Sequence, residues 1–399
     1  MTKKVLIMTQ NFYPVIGSAG NRMKNIFQLL NDKGIETHVL TTEPAYPNKN
    51  LYKDDMFWDD PHLNKSSDKI IRVPIKNKKF SNRIFSRLFL YIEIMFRFLH
   101  RLWKLKNEKY DYIYVTTPPI FIVFAALLGN LVVKSKIILE VRDLWPDSLI
   151  GVKTFDHPII IKFFRMLERK MYRMANYIVI NSKGFEQHIK ASLDVNKHSL
   201  IYLPNGPRIH EIVKEKSNRE EFRVVYTGNL GLAQDIEHLK HVASLLQEHN
   251  IRFDVLGYGM KAEEFIHYIE QNQLTNVYMH KPTTRKKSLE LIEQCDVAIA
   301  LLNDNEVFDT VLPGKVIDYM TCRTPIIAGI KGTAAQVIED NKTGFVFDQD
   351  NVRGMVDKVL SLKANPNERK QLADNCTKTV SKYFLWESNI EKIVEIIYE

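Results

Sequence analysis

The sequence predicts an α/β protein made of two doubly wound parallel sheets, and three observations carry that prediction. The chain has 399 residues, too long for one typical core and suited to two domains of about 200 residues each. Short apolar runs alternate with longer segments of helical period, as in parallel strands covered by helices on both faces. The glycines and charges that break this pattern cluster just after strands, where open α/β sheets bind their ligands.

In the first half, strands are expected at Val5–Thr9, Thr37–Thr41, Tyr112–Val115, Ile137–Val141, Tyr177–Ile180 and Leu200–Leu203. In the second half they are expected at Arg223–Thr227, Arg252–Leu256, Val277–His280, Val297–Leu301, Pro325–Ala328 and Phe345–Phe347. Each half therefore has strands enough for its own sheet. Asn205-Gly206-Pro207 and the polar stretch Lys214–Glu221 mark the join. The last segment, Trp386–Tyr398, has the period of an amphipathic helix able to pack back on the first domain. With two sheets, the cleft between them is the default active site.

An apolar fraction of 45% and a charged fraction of 26% describe a globular protein. Cys295, Cys322 and Cys376 have neither metal nor disulfide spacing and read as reduced thiols of a cytoplasmic protein. Lys4–Met8 runs straight into a strand, so no signal peptide is expected. The longest apolar run, Pro118 to Val133, falls short of the ~20 residues of a spanning helix and follows a strand, so a buried crossover helix is expected.

Net charge is +9, unevenly placed: residues 1–205 hold 32 Lys and Arg against 18 Asp and Glu, and residues 206–399 hold 24 against 29. Lys69–Lys109 carries twelve cations against Glu93 and Glu108. Ser81–Lys106 within it reads as one helix, with Arg83, Arg87, Arg97, Arg101 and Lys104 on about a quarter to a third of its circumference. Leu90 and Ile94 interrupt that face; Phe85, Leu88, Ile92, Met95, Phe96, Leu99 and Trp103 lie opposite. Such a helix favours an anionic membrane surface, the five cations making the contact. The alternative is a solvated basic face whose apolar side packs on the core. No nucleic-acid motif accompanies the charge, and no nucleic-acid partner is expected.

The densest motif is Leu312-Pro-Gly-Lys-Val-Ile-Asp-Tyr-Met320. Pro313 and Gly314 punctuate a helix start. Lys315 and Asp318 share a helix face beside amides that attract anions. A lysine there can hold a diphosphate and a carboxylate a ribose diol. Earlier strands end in comparable loops: Gly17 and Gly20 after the first, Tyr226–Gln234 with Asn229 and Gln234, and Gly257 and Gly259. Small residues let a ligand approach backbone amides, although each loop could be an ordinary turn. Arg142 and Asp143 follow a strand end and are expected to project from it; the alternative is an ion pair ordering the loop.

Taken in order, these motifs resemble the family 4 glycosyltransferases of the GT-B fold, with the bacterial O-antigen, capsule and exopolysaccharide enzymes nearest in pattern. The resemblance covers essentially the whole chain. It rests on the Gly17 loop, Arg142-Asp-Leu-Trp-Pro146, Pro204-Asn-Gly206, Tyr226-Thr-Gly-Asn229, Gly257-Tyr-Gly259, Pro313-Gly-Lys315 with Asp318-Tyr-Met320, and Lys342-Thr-Gly344. It implies two Rossmann-like domains, an acceptor domain over 1–205 and a nucleotide-sugar domain over 206–380, followed by a terminal helix over 381–399. It also implies a uridine-type donor sugar, retention of anomeric configuration, no metal and no cofactor. Acceptors of this type are lipid-linked or growing glycans at the inner face of the cell membrane. The implied donor residues are Gly17, Asn229, Gln234, Gly257, Gly259, Pro313, Gly314, Lys315 and Asp318, with Arg142, Asp143 and Lys315 closest to the chemistry. Many relatives have a histidine at position 142 and two glutamates at 310 and 318; here the residues are Arg142, Thr310 and Asp318. A nucleotide-sugar 2-epimerase of the same fold and a non-catalytic sugar-nucleotide binder are the alternatives.

Overall fold

The computed structural model describes residues 2–76, 84–151, 157–193, 199–216 and 220–399, with only the backbone described for 84–87 and 149. Two compact units result. The first comprises Met1–Pro204 and Asn389–Glu399, the second Asn205–Ser388.

The first unit is built on a seven-stranded sheet in the order β3-β2-β1-β4-β5-β6-β7. Its strands are β1 (Lys4–Met8), β2 (Glu36–Thr42), β3 (Ile70–Val73), β4 (Tyr112–Thr117), β5 (Lys136–Val141), β6 (Tyr177–Ile180) and β7 (Ser199–Tyr202). Between them run α1 (Ser18–Asp32), α2 (Pro61–Lys65), α3 (Ile84–Lys104), α4 (Ile120–Val133), α5 (Asp147–Gly151), α6 (Pro158–Met174) and α7 (Glu186–Ser192). Every pairing is parallel. The sheet therefore needs cover on both faces, and β4 is buried at all its positions. Strand order reverses between β1, which leads outward to β2, and β4, which leads outward to β5. Right-handed crossovers put α1 on one face and α3, α4 and α6 on the other.

The second unit carries a six-stranded parallel sheet in the order β10-β9-β8-β11-β12-β13. Its strands are β8 (Arg223–Asn229), β9 (Arg252–Tyr258), β10 (Val277–His280), β11 (Val297–Leu301), β12 (Ile326–Gly329) and β13 (Gly344–Val346). The helices are α8 (Ile236–Glu248), α9 (Ala262–Gln271), α10 (Arg285–Glu293), α11 (Glu306–Asp309), α12 (Gly314–Thr321), α13 (Gly332–Asp340), α14 (Val352–Ala364), α15 (Pro366–Tyr383) and α16 (Trp386–Asn389). The α8 helix shows why the pattern folds this way. Asp235 caps it by accepting the His238 amide at 3.1 Å, and Ile236, Leu239, Val242, Ala243 and Leu246 bury one side. Here the order reverses between β8 and β11.

Three sequence expectations change. The β3 strand was missed: its four residues lie at the sheet edge, inside a basic stretch, with only Val73 fully buried. The terminal helix does not begin at 381, because α15 continues to Tyr383. The expected single helix Trp386–Tyr398 is two, α16 and α17 (Glu391–Tyr398), parted at Ile390. From Asn389 the chain belongs to the first unit, where the Tyr112 hydroxyl donates to the Ile396 carbonyl at 2.8 Å and Lys33 pairs with Glu391.

Gly344 allows β13 to sit close on β12. A Cβ there would lie 1.9 Å from the Ile326 carbonyl oxygen, and backbone cannot step aside as a side chain can. Gly344→Ala is expected to destabilise the protein by at least about 2 kcal/mol, read as a lower urea midpoint with unchanged slope.

Candidate functional site

At the reversal in the second sheet, the loops that follow β8 and β11 come together. The Asn303 amide N–H donates to the Ala233 carbonyl at 3.1 Å, and its side-chain amide donates to Leu232. The α12 helix starts beside them with Pro313 in extended conformation, so the Pro-Gly pair acts as the helix punctuation. Gly314 and Lys315 follow as its first residues.

Lys315 turns toward β8. Its Nζ donates to the Tyr226 hydroxyl at 2.8 Å and to Gln234 Oε1 at 2.7 Å, and lies 4.0 Å from the centre of the Tyr226 ring. Gly228 adopts φ 126°, a conformation that favours glycine, and a Cβ there would be in ordinary contact with Lys315 Cε at 3.4 Å. These partners are neutral. Burial therefore goes uncompensated and pushes the lysine down to about 7. A half-buried cation whose described partners are all neutral has unused electrostatic capacity for an anion.

Asp318, one turn on, faces a different partner. Arg285 Nη1 donates to Asp318 Oδ1 at 2.8 Å, and Arg285 Nε donates to Glu211 Oε1 at 2.7 Å. Burial alone would lower Arg285, but the two carboxylates outweigh it and raise it. Asp318 is itself raised by burial in spite of the arginine. Sequence reasoning missed Arg285 and Glu211: they lie 33 and 107 positions from Asp318, and only the fold joins them.

The remaining predicted donor residues separate into two groups. Gln234 aims its amide oxygen at Lys315 and Tyr226. Asn229 is exposed at the end of β8, its side chain against Gly231 and Gly259, and Gly259 adopts φ 121°. Gly257 is different. It is buried, and a Cβ would lie 2.5 Å from Leu230 Cδ1, so its small size serves packing of Leu230. Thr310 donates its hydroxyl to the Val307 carbonyl at 2.7 Å.

In the first unit, Gly17 stands exposed at the start of α1 with φ 96°. The loop before it is strapped down: Arg72 donates to the Tyr13 carbonyl at 2.6 Å, and the Ile16 amide donates to the Tyr52 hydroxyl at 3.1 Å. The same reversal point holds a buried charge network. Arg22 Nε donates to Glu140 Oε1 at 2.8 Å, Arg22 Nη2 to the Leu203 carbonyl at 2.7 Å, and the Tyr114 hydroxyl to Glu140 Oε1 at 2.6 Å. Burial opposes the Glu140 charge, but Arg22 and Arg142 hold its carboxyl below the ordinary range.

Arg142 was expected to project from the strand end. Instead it folds back over β4, where its Nε donates to Thr116 Oγ1 at 2.7 Å and lies 3.7 Å from Glu140 Oε2. The ion pair it forms is with the buried carboxylate inside β5. Burial pushes Asp143 up to about 6, against a hydrogen bond from Ser148 and the nearby Arg142.

The basic helix is oriented otherwise than expected. Arg83 and the Arg87 side chain lie outside the described residues. Leu90, Ile94, Phe98 and Leu102 are buried, so the residues that interrupt the basic face are the ones that enter the core. The α4 helix packs on that stripe: Gly129 lacks a Cβ where Leu102 sits, and Tyr91 stacks on Phe121 at 5.9 Å. Arg97 and Arg101 border the stripe half-buried, with Arg97 Nε donating to Glu93 at 2.7 Å, and Lys104 is exposed. Part of the apolar side that the solvated-face alternative packs on the core is exposed, with Phe96 at 61% and Trp103 at 58%.

Two Rossmann-like units, each with a polar loop cluster at its strand-order reversal, define a protein of the GT-B class. Residues 17–206 match the family described as glycosyl transferase 4-like domain, and residues 207–379 match glycosyl transferases group 1. The chain belongs to the glycosyltransferases. An uncharacterized glycosyltransferase of Methanocaldococcus jannaschii is 22% identical over 397 residues, covering 99% of this chain and 98% of the relative. Sucrose-phosphate synthase from Thermosynechococcus elongatus superposes with a TM-score of 0.74 at 14% identity, covering 99% of this chain and 98% of that one. Anabaena HepE, solved with UDP and glucose, gives 0.70 at 14% identity, covering 99% of both chains. Both solved structures share the fold.

Removing the Glu140 carboxylate would leave Arg22 buried without a counter-charge. Glu140→Ala is expected to cost about 3–5 kcal/mol, read by urea denaturation. Equal stability of Glu140→Ala and the parent would remove the network from the structural account.

Proposed function

We propose that this chain transfers a sugar from a nucleotide diphosphate donor, of the UDP-sugar type, to a lipid-linked or growing glycan. In this reading the second unit holds the donor and the basic first unit receives the acceptor at an anionic membrane surface. The observation that carries it is Lys315, a half-buried lysine whose described partners are neutral, placed at the first turn of α12. A diphosphate would supply the missing negative charge and take up the α12 amides. Developing charge on the leaving diphosphate would be met by the same groups. Asp318, with one oxygen on Arg285, would receive the ribose hydroxyls on the other. Gly17 would approach the diphosphate from the start of α1 and Asp143 would act near the reacting sugar, with Arg142 positioning that loop through Thr116 and Glu140. Retention of configuration, transfer without a metal and a role in cell-surface polysaccharide synthesis are expectations that the family resemblance brings.

Lys315→Ala is expected to weaken nucleotide-sugar binding at least tenfold by calorimetry, about 1.4 kcal/mol. Unchanged affinity would remove the assignment. The proposal also fixes a pH dependence. Free Lys315 at about 7 is charged below that pH, and a bound diphosphate raises it further. Donor affinity should therefore be flat below pH 7 and fall as pH rises above it, with net proton uptake on binding at pH 8. A diphosphate diester has no titration of its own in that range, and Lys315→Ala should abolish the dependence.

A further inference from the structure

The outer face of the helical layer over the first sheet is apolar. The α3 and α4 helices pack together, as do α4 and α6, on the same side of the sheet. Each leaves large apolar side chains in solvent. Phe96 and Trp103 on α3, Leu131 on α4, and Ile159 and Phe163 on α6 are between 51% and 74% exposed. Most of the large exposed apolar side chains of the described residues belong to these three helices. Scattered singly, such residues mean nothing; side by side on three neighbouring helices they mark a surface that meets something apolar.

The charges around this face say what. The three helices hold nine Lys and Arg against two Glu, and α4 itself holds none of either. Of the two glutamates, Glu93 is paired with Arg97 and Glu168 is buried against Tyr172 and His188. The apolar strip thus has a cationic border with its acids neutralised or withdrawn. Lys106 Nζ lies 5.1 Å from the Trp103 ring, an amphipathic pair suited to a lipid–water boundary. Among the described residues no helix is long and apolar enough to cross a membrane, so any contact made here is shallow.

We propose that the outer face of α3, α4 and α6 inserts its apolar side chains into an anionic bilayer surface, with the bordering Lys and Arg on the headgroups. This deepens the membrane part of the proposed function and rests on it. It replaces a contact made by one basic helix face with one made by three helices, and it does not rest on the donor chemistry.

The test uses the full chain and vesicles of phosphatidylcholine with or without phosphatidylglycerol, with no donor present. The parent protein should sediment with the anionic vesicles. Phe96→Ser, Trp103→Ser and Leu131→Ser combined should lower that partition at least tenfold, with nucleotide-sugar affinity unchanged. The exposed Trp103 should shift its emission to the blue on vesicles and be quenched by brominated acyl chains, a signal that Trp103→Phe removes. Failure of the parent to bind either vesicle would overturn the proposal, as would a triple variant that binds like the parent. A parent dimer in light scattering that the triple variant dissolves, without vesicle binding, would assign the face to a second copy and overturn it as well. Donor affinity, measured in the same preparations, reports separately on the transferase reading.

Discussion

Every strand pair in both sheets is parallel. Parallel strands need crossover helices, and the fixed hand of those crossovers covers both faces of each sheet. All loops leading out of the strands then emerge at one edge. Where strand order reverses, neighbouring crossovers lie on opposite faces and the loops part, which leaves polar groups without helical cover. In the second unit that point gathers Tyr226, Gln234, Asn303 and the start of α12; in the first it gathers the loop to Gly17, Glu140 and Arg142. The helical layer built by the same rule also presents the outward face of α3, α4 and α6.

The two reversal points handle charge in opposite ways. In the first unit Glu140 sits between Arg22 and Arg142 and accepts from Tyr114, so the cations are satisfied internally and the network holds α1, β4 and β5 together. In the second unit Lys315 has a hydroxyl, an amide oxygen and an aromatic face. Burial of a charge costs most when its partners are neutral, and that cost falls when an anion arrives. The difference separates a structural cluster from a ligand-ready one, although both set helix cations against central strands of a parallel sheet. Asp318 lies between these cases: its pairing with Arg285 fixes one oxygen in place.

Much of this was legible in the sequence because it depends on short-range pattern. Near-continuous apolar runs marked twelve of the thirteen strands, nine to within one residue at both ends and three to within two, and Pro313-Gly314 marked the start of α12. What was not legible depends on long-range pairing. Arg285 and Glu211 become partners of Asp318 only through the fold. Arg142 carries the same local sequence whether it projects or folds back, and Thr116 and Glu140 decide between the two. The β3 strand is too short and too exposed to stand out from the lysines around it. The basic helix was misread for a physical reason. Its cations and its buried Leu90, Ile94, Phe98 and Leu102 share one side, since half-buried arginines can border a core-facing stripe, and helical period alone does not say which apolar stripe meets the core.

The central claim is that the neutral surroundings of Lys315 receive a donor diphosphate. A crystal structure with a UDP-sugar bound tests it most directly. The account predicts diphosphate oxygens within hydrogen-bond reach of Lys315 Nζ and the first amides of α12, with the ribose hydroxyls on Asp318. A nucleotide bound elsewhere, with Lys315 still held by Tyr226 and Gln234 alone, would contradict it.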